Sequence, residues 1–180
     1  MTDIAVGAAN VNDNANEYSQ QEFVIKQALD KINTLTLVKV VECTNSGELS
    51  PVGFVDVSVL VGMVSGDGAD VAHDVIYNIP YLRIQGGSDA IIIDPKKGDI
   101  GICGFCSRDI SGVKAKKDYA PPHTKRRHDY SDGLYFGGVL NGQPTQYIRH
   151  SEDGIELVSP TKIFIKAPNK PMEPGKRLPI

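Results

Sequence analysis

The residues whose types could do chemistry stand in short, separate constellations. Cys103 and Cys106 form a C-x-x-C spacing, which elsewhere serves thiol exchange or supplies half of a zinc site. Their setting, Asp99-Ile100-Gly101-Ile102-Cys103-Gly104-Phe105-Cys106, reads as a strand, and strand residues three apart point to opposite faces. A redox pair normally opens a helix, and zinc needs two further ligands, so packing cysteines are the expectation. Three cysteines in all also exclude a complete disulfide framework. Gly86-Gly87-Ser88-Asp89-Ala90 falls one residue short of a nucleophile elbow. That motif needs a helix directly after the serine, whereas Ile91-Ile92-Ile93 is β-branched. His73-Asp74 are neighbours in sequence, which positions no catalytic pair. Asp67-Gly68-Ala69-Asp70 lacks the calcium-loop spacing, and there is no Walker loop or H-E-x-x-H. His123 and His128 lack an obvious third ligand. The expectation is a protein with no catalytic residues, no metal and no cofactor, and therefore not an enzyme.

The elements that carry these residues are mostly strands. In 180 residues, 41% are hydrophobic and 23% charged, an ordinary globular composition. Gly 18 and Pro 11 are more than an average chain carries and favour turns between short strands. Lys+Arg 19 against Asp+Glu 22 leaves a formal charge of −3, which argues against a surface built to coat nucleic acid or anionic membrane. No apolar run approaches the ~20 residues of a membrane helix. The polar start, Met1–Asn16, lacks the pattern of a signal peptide.

Residues 1–33 read as an Asn/Ala-rich arm followed by one amphipathic helix. Ser19-Gln20-Gln21-Glu22 matches a capping box, and Val24, Ile25, Ala28, Leu29 and Ile32 follow on one face, ending near Asn33. From Leu35 the period changes to two. Leu35–Cys43 is strand-like, and Val55, Val57, Val59, Val61 and Met63 alternate with Asp56 and Ser58. Further strands are expected at Val75–Ile79, Tyr81–Gln85, Ala90–Ile93 and Ile100–Cys106, divided by Ser65-Gly66-Asp67-Gly68, Gly86-Gly87-Ser88-Asp89 and Asp94-Pro95-Lys96-Lys97-Gly98. Residues 34–113 thus have the length and pattern of a five-stranded OB-type barrel, though a small sandwich would look similar. Residues 114–146 read as a basic linker and connecting strand. Within Lys114–His128, Lys114, Lys116, Lys117, Lys125, Arg126 and Arg127 face the single Asp118, which suits either a solvated linker or a local anion contact.

Residues 147–168 repeat with a shift of eight. Tyr147 falls over Ile155 and Ile163, Arg149 over Leu157 and Ile165, Ser151 over Ser159 and Ala167, and Pro160 over Pro168. Each strand of five residues spans only about 16 Å. Three of them bury too little to stand alone, so copies from other chains are expected to complete the core. The expected arrangement is an intertwined homo-oligomer with Ile155, Leu157, Ile163 and Ile165 on a shared axis. An ordinary meander on the barrel's flank is the alternative. Residues 169–180 form a Pro-rich basic tail.

Several segments together resemble a known family. They are Leu37-Val38-Lys39-Val40-Val41, Ile79 to Pro95 through Gln85-Gly86-Gly87-Ser88-Asp89, Gly98-Asp99-Ile100-Gly101, Ser107-Arg108-Asp109-Ile110-Ser111, Ser131-Asp132-Gly133-Leu134-Tyr135 and Asp153 to Lys162. This run, spanning about residues 35–168, looks like the baseplate spike, or membrane-piercing, proteins of contractile-tailed bacteriophages. The resemblance implies a mainly β homotrimer: an N-terminal OB-fold and a short intertwined C-terminal β-helix or β-prism. It implies a structural virion protein at the centre of the phage tail baseplate, joined to a hub protein and helping to penetrate the host cell envelope. A separate tip protein at the C-terminal end and transient contact with the host outer membrane are further expectations. The tail contains no histidine, so the apical metal site of longer spikes is not carried over. A different class is also open, an OB-fold binding module for single-stranded nucleic acid or oligosaccharide, although no aromatic ladder interleaves the basic run.

Overall fold

In a computed structural model of the chain, the described residues are 17–65 and 68–166. The N-terminal arm through Asn16, the centre of the turn at Gly66-Asp67, the last repeat positions Ala167 and Pro168, and the 169–180 tail lie outside them. The chain divides into two units, one up to Asn141 and one from Gly142.

The first unit is mainly β. Its main sheet has five antiparallel strands: β1 (Leu35–Cys43), β2 (Phe54–Val59), β5 (Ile76–Pro80), β8 (Ile100–Phe105) and β9 (Gly133–Gly138), in the order β5-β2-β1-β8-β9. Two-residue periodicity explains its core. Val38 and Val40 from β1, and Val55, Val57 and Val59 from β2, point inward with Ile79, Cys103, Phe105 and Tyr135. Each of the Val, Ile and Phe side chains among them contributes about 1.5–3 kcal/mol on full burial. Register shifts beside Val41 and Phe136 mark β-bulges, which bend and coil the strands. The sheet curls into a half-barrel whose two outer strands approach each other. Tyr81, just past β5, makes a parallel bridge with Tyr135, and the Leu82 N–H donates to the Tyr135 carbonyl at 2.7 Å. Gly101 of β8 lets the neighbouring β9 lie close, since a Cβ there would strike the Tyr135 ring and the Gly137 carbonyl.

The alternation expected through Val61 and Met63 stops at Val59. Leu60 N–H bonds the Leu37 carbonyl as a last rung, and the chain leaves the sheet with Val61 and Met63 exposed. There it forms the hairpin of β3 (Met63–Val64) and β4 (Asp70–Val71). A second small hairpin joins β6 (Ile84–Gly86) to β7 (Asp89–Ile91).

The helix α1 spans Glu17–Leu29, so Ser19 lies inside it and does not cap it, and the Glu22 carboxylate pairs with Lys26 at 2.8 Å. The capping box therefore does not form. Among the described residues nothing covers the helix's apolar face: Val24, Ile25 and Leu29 are exposed. Between β8 and β9 the stretch read as a basic linker folds against the sheet. It contains α2 (Ser111–Lys116), ended by Lys117 in the left-handed conformation, and a 3-10 turn at Tyr130–Asp132. The strand within residues 114–146 is β9, the fifth strand of the sheet.

The second unit holds one antiparallel hairpin of β10 (Tyr147–Ser151) and β11 (Gly154–Val158). Gly154, at φ +135°, takes a conformation that disfavours any side chain. The shift of eight places a third strand at 163–167; its described residues, 163–166, form no strand.

Candidate functional site

Two ionic clamps fix the loops at the ends of the half-barrel. The first holds the loop between β1 and β2. Arg83 Nη2 meets Asp94 Oδ1 at 2.6 Å, Arg83 Nη1 donates to the Ser50 carbonyl at 2.6 Å, and the Tyr81 hydroxyl donates to Asp94 Oδ1 at 2.6 Å. The other carboxylate oxygen of Asp94 accepts the Gly47 N–H at 2.8 Å. Burial alone would raise the Asp94 pKa, but the bonds from Tyr81, Arg83 and Gly47 outweigh it and hold the group below its ordinary value. All three side chains are buried.

The second clamp holds the basic stretch. Arg126 divides its guanidinium between Asp132 (Nε to Oδ2 at 2.6 Å, Nη2 to Oδ1 at 2.9 Å) and Asp109 (Nη2 to Oδ1 at 2.8 Å). Asp109 Oδ2 also accepts the N–H and hydroxyl of Thr124, each at 2.9 Å, and Asp132 Oδ1 accepts the Ile110 N–H. Bonds from Ser111, then from Thr124 and the charge of Arg126, hold Asp109 far below the usual carboxylate range despite its burial. Asn33 Nδ2 donates to the His128 carbonyl at 2.8 Å, tying the start of β1 to the same loop.

The residues first considered for chemistry are spread apart. Cys103 is fully buried in β8, and burial pushes its thiol pKa up to about 12, so at neutral pH it is not the thiolate that redox and metal chemistry need. Ser88 sits in the turn between β6 and β7, with a strand after it in place of a helix. His73 packs edge-on against Tyr130 at 5.3 Å, and His123 lies against Gly112. Among the described residues no three His, Cys, Asp or Glu side chains converge to hold a metal.

What the fold does present is uncovered apolar strand surface. In β10–β11 the register pairs Ile148 with Leu157 and His150 with Ile155, so these four share a face, while Tyr147 and Arg149 lie on the other with Val158 and Glu156. The eight-residue repeat predicts Tyr147 and Arg149 on the face of Ile155 and Leu157. A two-residue turn at Glu152-Asp153 reverses the chain instead, so residues that pair across the hairpin share a face. Of the residues expected on a shared axis, Ile155 is 64% exposed, Leu157 54%, Ile163 53% and Ile165 91%. The small hairpins of the first unit carry similar cross-strand pairs, Met63 with Val71 and Ile84 with Ile91, all exposed.

Sequence reasoning missed both clamps. Arg83 had a signal, a lone cation between Leu82 and Ile84 in strand-like sequence. Arg126 had none, because it is hidden within a run of surface cations. In comparisons with known proteins, no family model and no curated protein matches the chain.

Proposed function

We propose that this chain is a structural subunit of a homotrimeric spike at the centre of a contractile phage tail baseplate, linking the tail hub to the tip. In this reading the first unit is an OB-type barrel. Its support is the strand order, in which the first strand pairs with the second and fourth, and the third and fifth meet in parallel through Tyr81 and Tyr135. The segment 147–168 is then one third of an intertwined β-structure, with Ile155, Leu157, Ile163 and Ile165 turned toward the threefold axis.

The observation that carries the proposal is the uncovered hairpin. An isolated two-stranded hairpin is marginal in water, and this one exposes Ile148, Ile155 and Leu157 together, with Ile163, Phe164 and Ile165 beyond it. Sister chains would cover that surface and complete the hydrogen-bonding edges. The role is mechanical: sheath contraction supplies the work, and the spike stays folded while leading the tube through the envelope. Size-exclusion chromatography with light scattering tests the assembly. A species of three times the 19.5 kDa chain mass is expected; a stable single-copy species would refute it.

A further inference from the structure

The charges of this chain are sorted into blocks. Residues 108–128 hold seven of the 19 Lys and Arg and only two of the 22 Asp and Glu. Between Lys39 and Arg83 the chain carries Glu42, Glu48, Asp56, Asp67, Asp70 and Asp74, and no Lys or Arg. The fold makes the first block a preorganised surface. Asp109 is buried and spent on Arg126, Ser111 and Thr124, so it does not neutralise the outward cations. Arg126 points inward, and Lys114 is engaged with the carbonyls of Asn78 and Ser131. Arg108, Lys116, Lys117, Lys125 and Arg127 remain exposed, and none is in an ion pair among the described residues. In the second block Asp70 and Asp74 are exposed and equally unpaired.

The two blocks meet within one chain, where Lys114 Nζ donates to the Asn78 carbonyl at 3.4 Å, yet no ion pair joins them among the described residues. We propose that the basic loop 108–128 of one subunit docks on the acidic stretch around Asp70 and Asp74 of the next, as an ionic seam between copies of this chain. The seam rests on the homotrimer proposed above. Charge complementarity selects a second copy: a long polyanion that met the loop would also meet the acid surplus of a molecule whose net charge is −3. Joining two different patches makes the contact heterologous, and such contacts close a ring of three only if the rotation between copies is 120°, as the proposed homotrimer requires.

The test measures the concentration at which the full-length trimer dissociates, by mass photometry, in about 50 mM and about 500 mM salt. The paired substitution Lys116→Glu with Lys125→Glu is compared with Asp70→Lys with Asp74→Lys, and with all four together. The seam predicts weakening of wild type at high salt, weakening by roughly tenfold or more for each pair at low salt, and recovery when the pairs are combined. A wild-type trimer indifferent to salt and to both pairs would overturn the seam and leave the spike standing. A wild-type monomer at every concentration would overturn both. Fluorescence anisotropy with a 20-nucleotide single strand provides the last arm. Tight binding that Lys116→Glu with Lys125→Glu abolishes, with the trimer unchanged, would reassign the loop to nucleic acid and overturn the seam. All of these side chains are exposed, and the salt series on wild type requires no variant to fold.

Discussion

Asp94 and Asp109 hold their places through full sets of donors: Tyr81, Arg83 and the Gly47 N–H on one, Ser111, Thr124 and Arg126 on the other. Both carboxyls are depressed below their ordinary pKa of about 3.9. A group depressed in the folded state contributes stability above its unfolded pKa and loses it as pH falls toward the folded one. Thermal melts should therefore show a level melting temperature from about pH 7 to pH 5 and a steep fall below about pH 4. A melting temperature still level at about pH 2 would mean that these carboxylates do not carry the loops. The same residues account for the missed clamps. The lone cation at Arg83 hints at burial, but the carboxylate and the carbonyl that offset its desolvation lie 11 and 33 residues away.

At the level of elements, closure of the half-barrel depends on how closely β8 and β9 approach. Gly101→Val would drive two methyls toward the Tyr135 ring and the Gly137 carbonyl, where even a Cβ has no room. Overpacking of this kind costs about 1–3 kcal/mol, and urea denaturation should give a midpoint lower by a corresponding amount with the slope unchanged. An unaltered midpoint would show that the strands can separate without loss. Elements with a strong period were legible from sequence. Leu35–Cys43 and Ile100–Cys106 read as strands because β-branched and apolar residues recur there with turn residues at both ends, and the strands observed are Leu35–Cys43 and Ile100–Phe105. Tertiary pairing decided the rest. The valine alternation runs on past Val59 but the pairing does not: β2 leaves β1 after the Leu60–Leu37 rung, while β1 continues back to Leu35 against β8. The cations of 114–128 looked solvated because the carboxylates that organise them, Asp109 and Asp132, flank the run. The parity of Tyr147 was lost for a similar reason: an eight-residue shift presumes stacked strands, while Gly154 sets a tight hairpin.

For the whole molecule, the apolar residues left outside the half-barrel are the surface on which the proposed assembly rests. Ile155, Leu157 and Ile163 on the C-terminal segment, and Val24, Ile25 and Leu29 on α1, are all more than half exposed, far from the pattern of a chain that finishes its core alone. If three C-terminal segments meet around an axis, Ile163→Asp places three carboxylates together in an apolar interior. Each buried charge without a partner costs several kcal/mol, and the like charges repel one another as well. The half-barrel lies in the other unit, so its β-sheet signal in far-UV circular dichroism should persist while the molar mass falls from three chains to one. The conservative Ile163→Val should keep the trimer, which separates loss of apolar cover from any change at this position. If Ile163→Asp retained the mass of three chains, residue 163 would lie off the axis, and the contact holding the copies together would have to be sought in the first unit, where the charged blocks offer the alternative seam.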